Sequence, residues 1–288
     1  MHPMKRISYG FRPLSHLIHR TYAEKIAVGI SGGIDSSVTA LTMKKKGYDV
    51  IGVHMQNWDL EGDETLHEKD QRGENTLPCY EKDEKDARKV CDIIGIPFQK
   101  VSFSNEYWMD VWERVIKEYQ FGITPNPDVL CNRYIKAAVL PDYIEKHFGI
   151  HKVATGHYAR KLLIQDDDNT IRYSLLSGVD KKKDQAYFLS QITQDQLQKM
   201  EFPLGDLTKE QVKEIARDEG LEFLLDKRES MGVCFIGKRR GKFKEFLSQY
   251  ITPTPGTILF NNKIIGNHDG LHTMTIGERA RIGGCKEK

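Results

Sequence analysis

The run Ser31-Gly32-Gly33-Ile34-Asp35-Ser36 follows a short apolar stretch, residues 25–30, and precedes a helical pattern reaching about Lys46. Two adjacent glycines let backbone N–H groups approach an anion, a helix N-terminus adds partial positive charge, and the hydroxyls of Ser31 and Ser36 add donors. The chemistry that this arrangement supports is phosphate binding. It lacks the Gly-Lys-Ser/Thr ending of a Walker loop and does not fit the G-x-G-x-x-G dinucleotide fingerprint. Two of the cysteines sit in segments rich in turn formers. Cys131 follows Thr124-Pro-Asn126-Pro127-Asp128, and Cys234 lies in Ser230-Met-Gly-Val-Cys-Phe-Ile-Gly. Proline and glycine around both thiols point to loops, whereas cysteine in a core is usually an inert small hydrophobe. Asp128, three residues before Cys131, reads from the sequence alone as a candidate N-cap of the following helix.

The five cysteines, Cys79, Cys91, Cys131, Cys234 and Cys285, are separated by 12, 40, 103 and 51 positions, with no C-x-x-C pair. These spacings argue against a zinc ribbon, a thioredoxin-type motif and a disulfide-stapled secreted scaffold.

The elements that must hold these residues alternate. Strand-like runs at 25–30, 50–55 and 98–103 are separated by helical patterns ending near Lys46 and Ile94, and another helical pattern carries Trp108, Val111, Trp112 and Val115. This βαβαβα order predicts a Rossmann-like parallel sheet with helices on both faces, an α/β fold. A helix from about Cys131 to Phe148 leads to a strand at 152–155, ending in Gly156-His157-Tyr158. Residues 160–164 and 171–176 flank an acidic turn and read as a hairpin. Thr208-Lys-Glu-Gln211 is a capping box opening a helix to about Gly220. Beyond Gly256, short runs around Asn261-Asn262 predict a hairpin of a small β domain, since Asn tolerates positive φ. Residues 57–78 are polar and read as an insertion.

The chain of 288 residues is 39% hydrophobic and 29% charged, the balance of a folded protein, and no apolar stretch approaches the ~20 residues of a membrane span. Residues 1–23 carry Lys5, Arg6, Arg12 and Arg20 and no acid, so they contribute +4 to a net charge of +2 and leave −2 for the rest. Such an acid-free, Ser-containing leader has the composition of a mitochondrial transit peptide. Whole-chain charge does not argue for a nucleic-acid partner, and any such surface must be local, with Lys181-Lys182-Lys183 and Lys238-Arg239-Arg240 as the basic runs.

The S-G-G-x-D-S loop after a first strand resembles the pyrophosphate loop of ATP enzymes that cleave between the α and β phosphates and adenylate a substrate oxygen. Four further segments narrow the resemblance: 124–133, 230–237, Ala154-Thr-Gly-His-Tyr-Ala-Arg160 and Lys183-Asp-Gln-Ala-Tyr-Phe-Leu189. With the loop, and in the same order from about Lys25 to Gly284, they resemble the tRNA-specific 2-thiouridylases, and the basic leader points to the mitochondrial branch of that family.

That resemblance implies ATP and Mg2+ as cofactors, tRNA as substrate, an upstream persulfide donor such as a cysteine desulfurase relay, no membrane, and the mitochondrial matrix as location. It implies a nucleotide site of Gly29, Ile30, Ser31, Gly32, Gly33, Ile34, Asp35 and Ser36 on the phosphates, with Met55 beside the adenine and Gly156 after a later strand. Cys234 corresponds to the persulfide-bearing cysteine and Cys131 to the nucleophile that attacks it, leaving a Cys131–Cys234 disulfide; Asp128 corresponds to the acidic group near the base. Asn126, Pro127 and Asp128 correspond to contacts with the flipped-out uridine, and His157, Lys183, Asp184 and Gln185 to contacts with the tRNA. No metal ligand set can be named.

The expected division is a transit peptide over 1–23, an ATP-pyrophosphatase domain over 24–203, a small central α+β domain over 204–252 and the start of a β-barrel over 253–288. The resemblance implies a barrel continuing past residue 284, whereas the chain ends in Cys285-Lys286-Glu287-Lys288, and Glu278 stands where the pattern commonly shows Gln. Three alternatives stay open on the residues alone. One is a catalytically incomplete nucleotide- or tRNA-binding variant. Another is an iron–sulfur-dependent tRNA thiolase, which needs a third thiolate beside Cys131 and Cys234 unless Asp128 substitutes. The third is an ATP-dependent ligase or amidotransferase of the same superfamily, with no use for either cysteine.

Overall fold

The computed structural model describes residues 23–58, 79–165, 169–227 and 246–277. The leader, residues 59–78 of the polar stretch, the acidic turn at 166–168, the 230–237 motif with Cys234, the basic run at 238–240, Glu278 and Cys285 lie outside the described residues.

Five parallel strands form the sheet: β1 (Lys25–Gly29), β2 (Asp49–Gln56), β3 (Phe98–Ser102), β4 (Val153–Ala154) and, after two hairpin strands, β7 (Met200–Glu201). Their order is β3-β2-β1-β4-β7. Register is set by pairs such as Val28 with Gly52 and Val28 with Ala154. The apolar run of β1 is explained by its central place. Ile26 and Val28 face one buried cluster, with Val38 and Leu41 of α1 (Ile34–Lys45) and Val90 and Cys91 of α2 (Cys79–Ile94). Ala27 faces the other cluster, with Trp112, Ile135 and Ile144. Each fully buried Val or Ile contributes about 1.5–3 kcal/mol of transfer free energy, so both faces must stay covered.

The second face is covered by two interrupted helices. Helix α3 (Ser104–Tyr107) passes through a π-helical turn (Trp108–Trp112) into α4 (Glu113–Gln120). Helix α5 (Pro127–Cys131) continues through a second π-helical stretch (Asn132–Val139) into α6 (Leu140–Phe148), which ends at Gly149 with φ 64°. The expected hairpin is β5 (Ala159–Gln165) against β6 (Ile171–Ser177). A short helix α7 (Gln194–Lys199) precedes β7, and α8 (Lys209–Asp218) opens on the expected capping box of Thr208 and Gln211. Helix α8 packs on α1, and Leu204, Val212, Ala216 and Leu224 join the cluster beneath it. The second hairpin, β8 (Gly256–Phe260) with β9 (Lys263–His268), turns at Asn261 and Asn262, whose φ values are 50° and 60°. Among the described residues, no helix is long and apolar enough to cross a membrane.

Candidate active site

The chain runs from β1 outward to β2 and β3 in one direction and reaches β4 and β7 on the other side, so the strand order reverses between β1 and β4. A crevice outside the carboxyl ends of the strands at such a reversal is where open α/β sheets bind ligands. The Ser31–Ser36 turn leaves β1 at that point and Gly156 follows β4. The two are in close contact: a Cβ on Gly156 would lie 2.9 Å from the Asp35 carbonyl carbon and the Ser36 amide nitrogen.

The turn holds its own shape. Ser36 Oγ donates to the Gly33 carbonyl at 3.0 Å and accepts from the Ser31 amide at 3.1 Å, and Ser37 Oγ donates to the same carbonyl at 2.8 Å. Gly32 has φ +75°, and a Cβ there would meet the Asp83 carbonyl oxygen at 2.2 Å. No side chain caps the N-terminus of α1 at Gly33, which leaves an electropositive helix end beside the crevice. Met55 stands near the end of β2, its Cε 3.9 Å from a Cβ built on Gly29. Next to it, the His54 ring reaches the Ile30 carbonyl through Nδ1 at 2.8 Å. Burial lowers the His54 pKa, so the ring stays neutral and can hold the exit of β1.

Asp35 is the focus of contacts that the sequence pattern did not reveal. Lys209 Nζ donates to both carboxylate oxygens at 2.7 and 2.8 Å, and the Tyr158 hydroxyl donates to Oδ1 at 2.7 Å. Lys227 donates to the Gly32 carbonyl at 2.8 Å and pairs with Asp83 and Asp86 of α2. In sequence, Lys209 is one of two lysines in a capped helix and looks like a solvated side chain. Its only distinguishing signal would have been three-dimensional.

Cys131 lies on α5, in the buried cluster that contains Ala27. Asn126, not Asp128, is the N-cap: its Oδ1 accepts from the amides of Asp128 and Val129 at 3.1 and 3.3 Å. Pro127 takes the first helical position, where a missing N–H costs nothing. Asp128 is thereby released from capping, and burial raises its pKa, opposed by the charge of Lys136. Cys131 differs from the loop setting expected for it. The helix starts four residues earlier than its sequence pattern, so Cys131 ends α5 and is 4% exposed. Its neighbour Asn132 donates to the Phe188 carbonyl at 3.0 Å, tying this helix to the 186–189 turn.

The segments expected at tRNA are partly turned inward. His157 is 8% exposed, bonds through Nδ1 to Thr155 Oγ1 at 2.8 Å, and is held neutral by burial and by the charge of Lys136. Gln185 clamps the Tyr158 backbone, accepting from its amide at 3.1 Å and donating to its carbonyl at 2.9 Å. Asp184 accepts from the amides of Gly178 and Ala186 at 3.0 and 3.1 Å. Lys181 and Lys182 remain exposed. Lys136 was also missed, and its charge reaches both Asp128 and His157.

Residues 24–238 match a family model described as the tRNA methyl transferase HUP domain, and residues 244–288 match the tRNA methyl transferase PRC-barrel domain. The tRNA-specific 2-thiouridylase MnmA of Francisella tularensis subsp. novicida is 46% identical over 268 residues, covering 92% of this chain and 69% of that protein. This chain belongs to the tRNA-specific 2-thiouridylase family. Within it, a probable mitochondrial tRNA-specific 2-thiouridylase 1 of Caenorhabditis elegans is 44% identical, with 88% of this chain and 66% of that protein covered. The mitochondrial tRNA-specific 2-thiouridylase 1 of Homo sapiens is 42% identical, with 91% and 64% covered. The chain thus spans about two thirds of the length of these 2-thiouridylases.

If Asp128 acts as a base in a reaction of this family, its ionised form is needed, and the rate falls as pH drops through its folded pKa. Because that pKa is raised, the acidic limb of the pH–rate profile should lie above the ordinary aspartate range. Asp128→Asn should remove the limb and slow the reaction by roughly 10²-fold. A limb that persists in Asp128→Asn would assign it to another group.

Proposed function

We propose that the chain is an ATP-dependent tRNA sulfurtransferase that adenylates O2 of the wobble uridine and replaces it with sulfur from a cysteine persulfide, giving 2-thiouridine in mitochondrial tRNAs. The observation that carries this reading is 46% identity to a named 2-thiouridylase across 92% of the chain. The crevice supports it chemically. The uncapped helix end and the Ser31–Ser36 turn suit a pyrophosphate, with Met55 and Gly156 flanking the nucleotide. Methyl transfer, the word in the matched description, would give neither this turn nor Cys131 a task.

The oxygen at C2 of uridine leaves poorly; once joined to AMP it departs with the nucleotide. The Cys131 thiolate attacks the inner sulfur of the Cys234 persulfide, forming the Cys131–Cys234 disulfide and expelling hydrosulfide. Hydrosulfide adds at C2, AMP leaves, and Asp128 accepts the proton. A thiol reductant then returns two electrons to the disulfide. C2 is reached only if the base is flipped out, with Asn126, Pro127 and Asp128 around it and the exposed Lys181 and Lys182 beside Lys183 on phosphates. Among the described residues no cluster of three metal-ligating side chains occurs. Mg2+, as the companion of ATP, would supply charge neutralisation to the phosphates. The worm and human relatives favour a mitochondrial site, with the matrix and an upstream cysteine desulfurase relay as the finer expectation.

The test is a single-turnover assay with ATP, a radiolabelled persulfide donor and unmodified mitochondrial tRNA. Label at the wobble uridine is the expected result. ATP bound without label in tRNA would overturn the sulfurtransferase reading in favour of a binding protein.

A further inference from the structure

We infer that Lys209 is a positioning residue of the nucleotide site, neutralising Asp35 so that the N-terminus of α1 can receive the pyrophosphate of ATP; the inference rests on the ATP reading above. Asp35 is the second residue of α1, at the same electropositive end that a pyrophosphate would use. Its side chain is 31% exposed beside Gly156, and an unpaired carboxylate at that helix end would repel incoming phosphates.

The structure commits two donors to that carboxylate. The Lys209 ammonium bonds both oxygens and the Tyr158 hydroxyl bonds one of them. The Lys209 side chain is only 6% exposed, and lysine is almost never that buried unless paired. The position is also unfavourable for α8 itself. Lys209 is the first residue of that helix, where the macrodipole disfavours a cation. Nothing in the stability of α8 asks for a lysine there, whereas charge balance at Asp35 does. Its backbone is fixed independently, since the Lys209 amide donates to Asp180 Oδ2 at 3.0 Å. The ammonium is thus delivered to Asp35 by an anchored helix start, and Gln185 anchors Tyr158 in the same way.

An alternative role is purely structural, an ion pair that pins α8 to α1. The two roles differ in what they do to an uncharged ligand. Lys209→Met in the full chain should weaken equilibrium binding of ATP by roughly 30-fold, the effect of stripping one partner from a buried charge pair, and leave adenosine binding unchanged. The double variant Asp35→Asn/Lys209→Met, which removes both charges, should bind ATP several-fold more tightly than Lys209→Met alone, and Lys209→Gln replaces the single variant if that one does not fold. Equal ATP binding by wild type and Lys209→Met, parallel loss of ATP and adenosine, or a double variant as weak for ATP as the single one would each overturn the inference. Failure of the wild-type chain to bind ATP would instead overturn the nucleotide reading, and this inference with it.

Discussion

Replacement of Cys131 by Ser is expected to abolish tRNA thiolation, by on the order of 10³-fold or more, while ATP-dependent adenylation of the tRNA continues. The expectation follows from the division of labour between the glycine turn and the thiol. On the reading proposed above, the Ser31–Ser36 turn and the α1 N-terminus serve the nucleotide, and the thiol on α5 serves sulfur transfer. A hydroxyl in place of the Cys131 thiol keeps the buried shape but is a far weaker nucleophile towards sulfur. The persulfide would then form on Cys234 and remain there. Cys234→Ser should fail one step earlier, with no label held on the protein at all. Protein-bound and tRNA-bound label, measured together in one turnover, separate the two. Undiminished labelling of tRNA by either variant would remove that cysteine from the sulfur path.

Gly32→Ala should reduce ATP-dependent turnover by about 10²-fold, the penalty expected when a reacting group is displaced by about 1 Å. Two independent demands meet at this residue. Its φ of +75° is strained for any residue with a Cβ, and the added methyl would lie 2.2 Å from the Asp83 carbonyl oxygen. Asp83 cannot retreat freely, because Lys227 joins its carboxylate at 2.8 Å to the Gly32 carbonyl at 2.8 Å. The turn itself would therefore have to move away from α2. Gly47→Ala supplies the control: φ there is +89° but nothing lies within 4 Å of the new methyl. That variant should lose about 1 kcal/mol of stability and keep its ATP affinity. Loss of ATP affinity in both variants alike would show that backbone strain, and not the contact with α2, governs the site.

Local chemistry made much of the scaffold legible in advance. The buried strand, glycine turn and helix at 25–46 are a pattern of near neighbours, as is the capping box at Thr208 and Gln211, where both reciprocal bonds occur. The tight turn at Asn261 and Asn262 was legible because Asn accepts positive φ. Other boundaries escaped. Asn126 and Pro127 together start a helix four residues before the periodic apolar pattern begins, which turned Cys131 from a loop residue into a buried helical one. Strand β7 has two residues, too short for any periodicity, and is a strand only because β4 lies beside it.

The α/β class, the glycine turn with its helix, and the family were all readable from residue types at short, fixed spacing. Only the tertiary structure decided which strands are neighbours, that the order reverses between β1 and β4, and that Lys209, 174 positions from Asp35, completes its charge. The physical reason is that parallel strands pair through backbone groups common to every residue, and a buried ion pair is specified by three-dimensional proximity. Neither leaves a periodic mark along the chain.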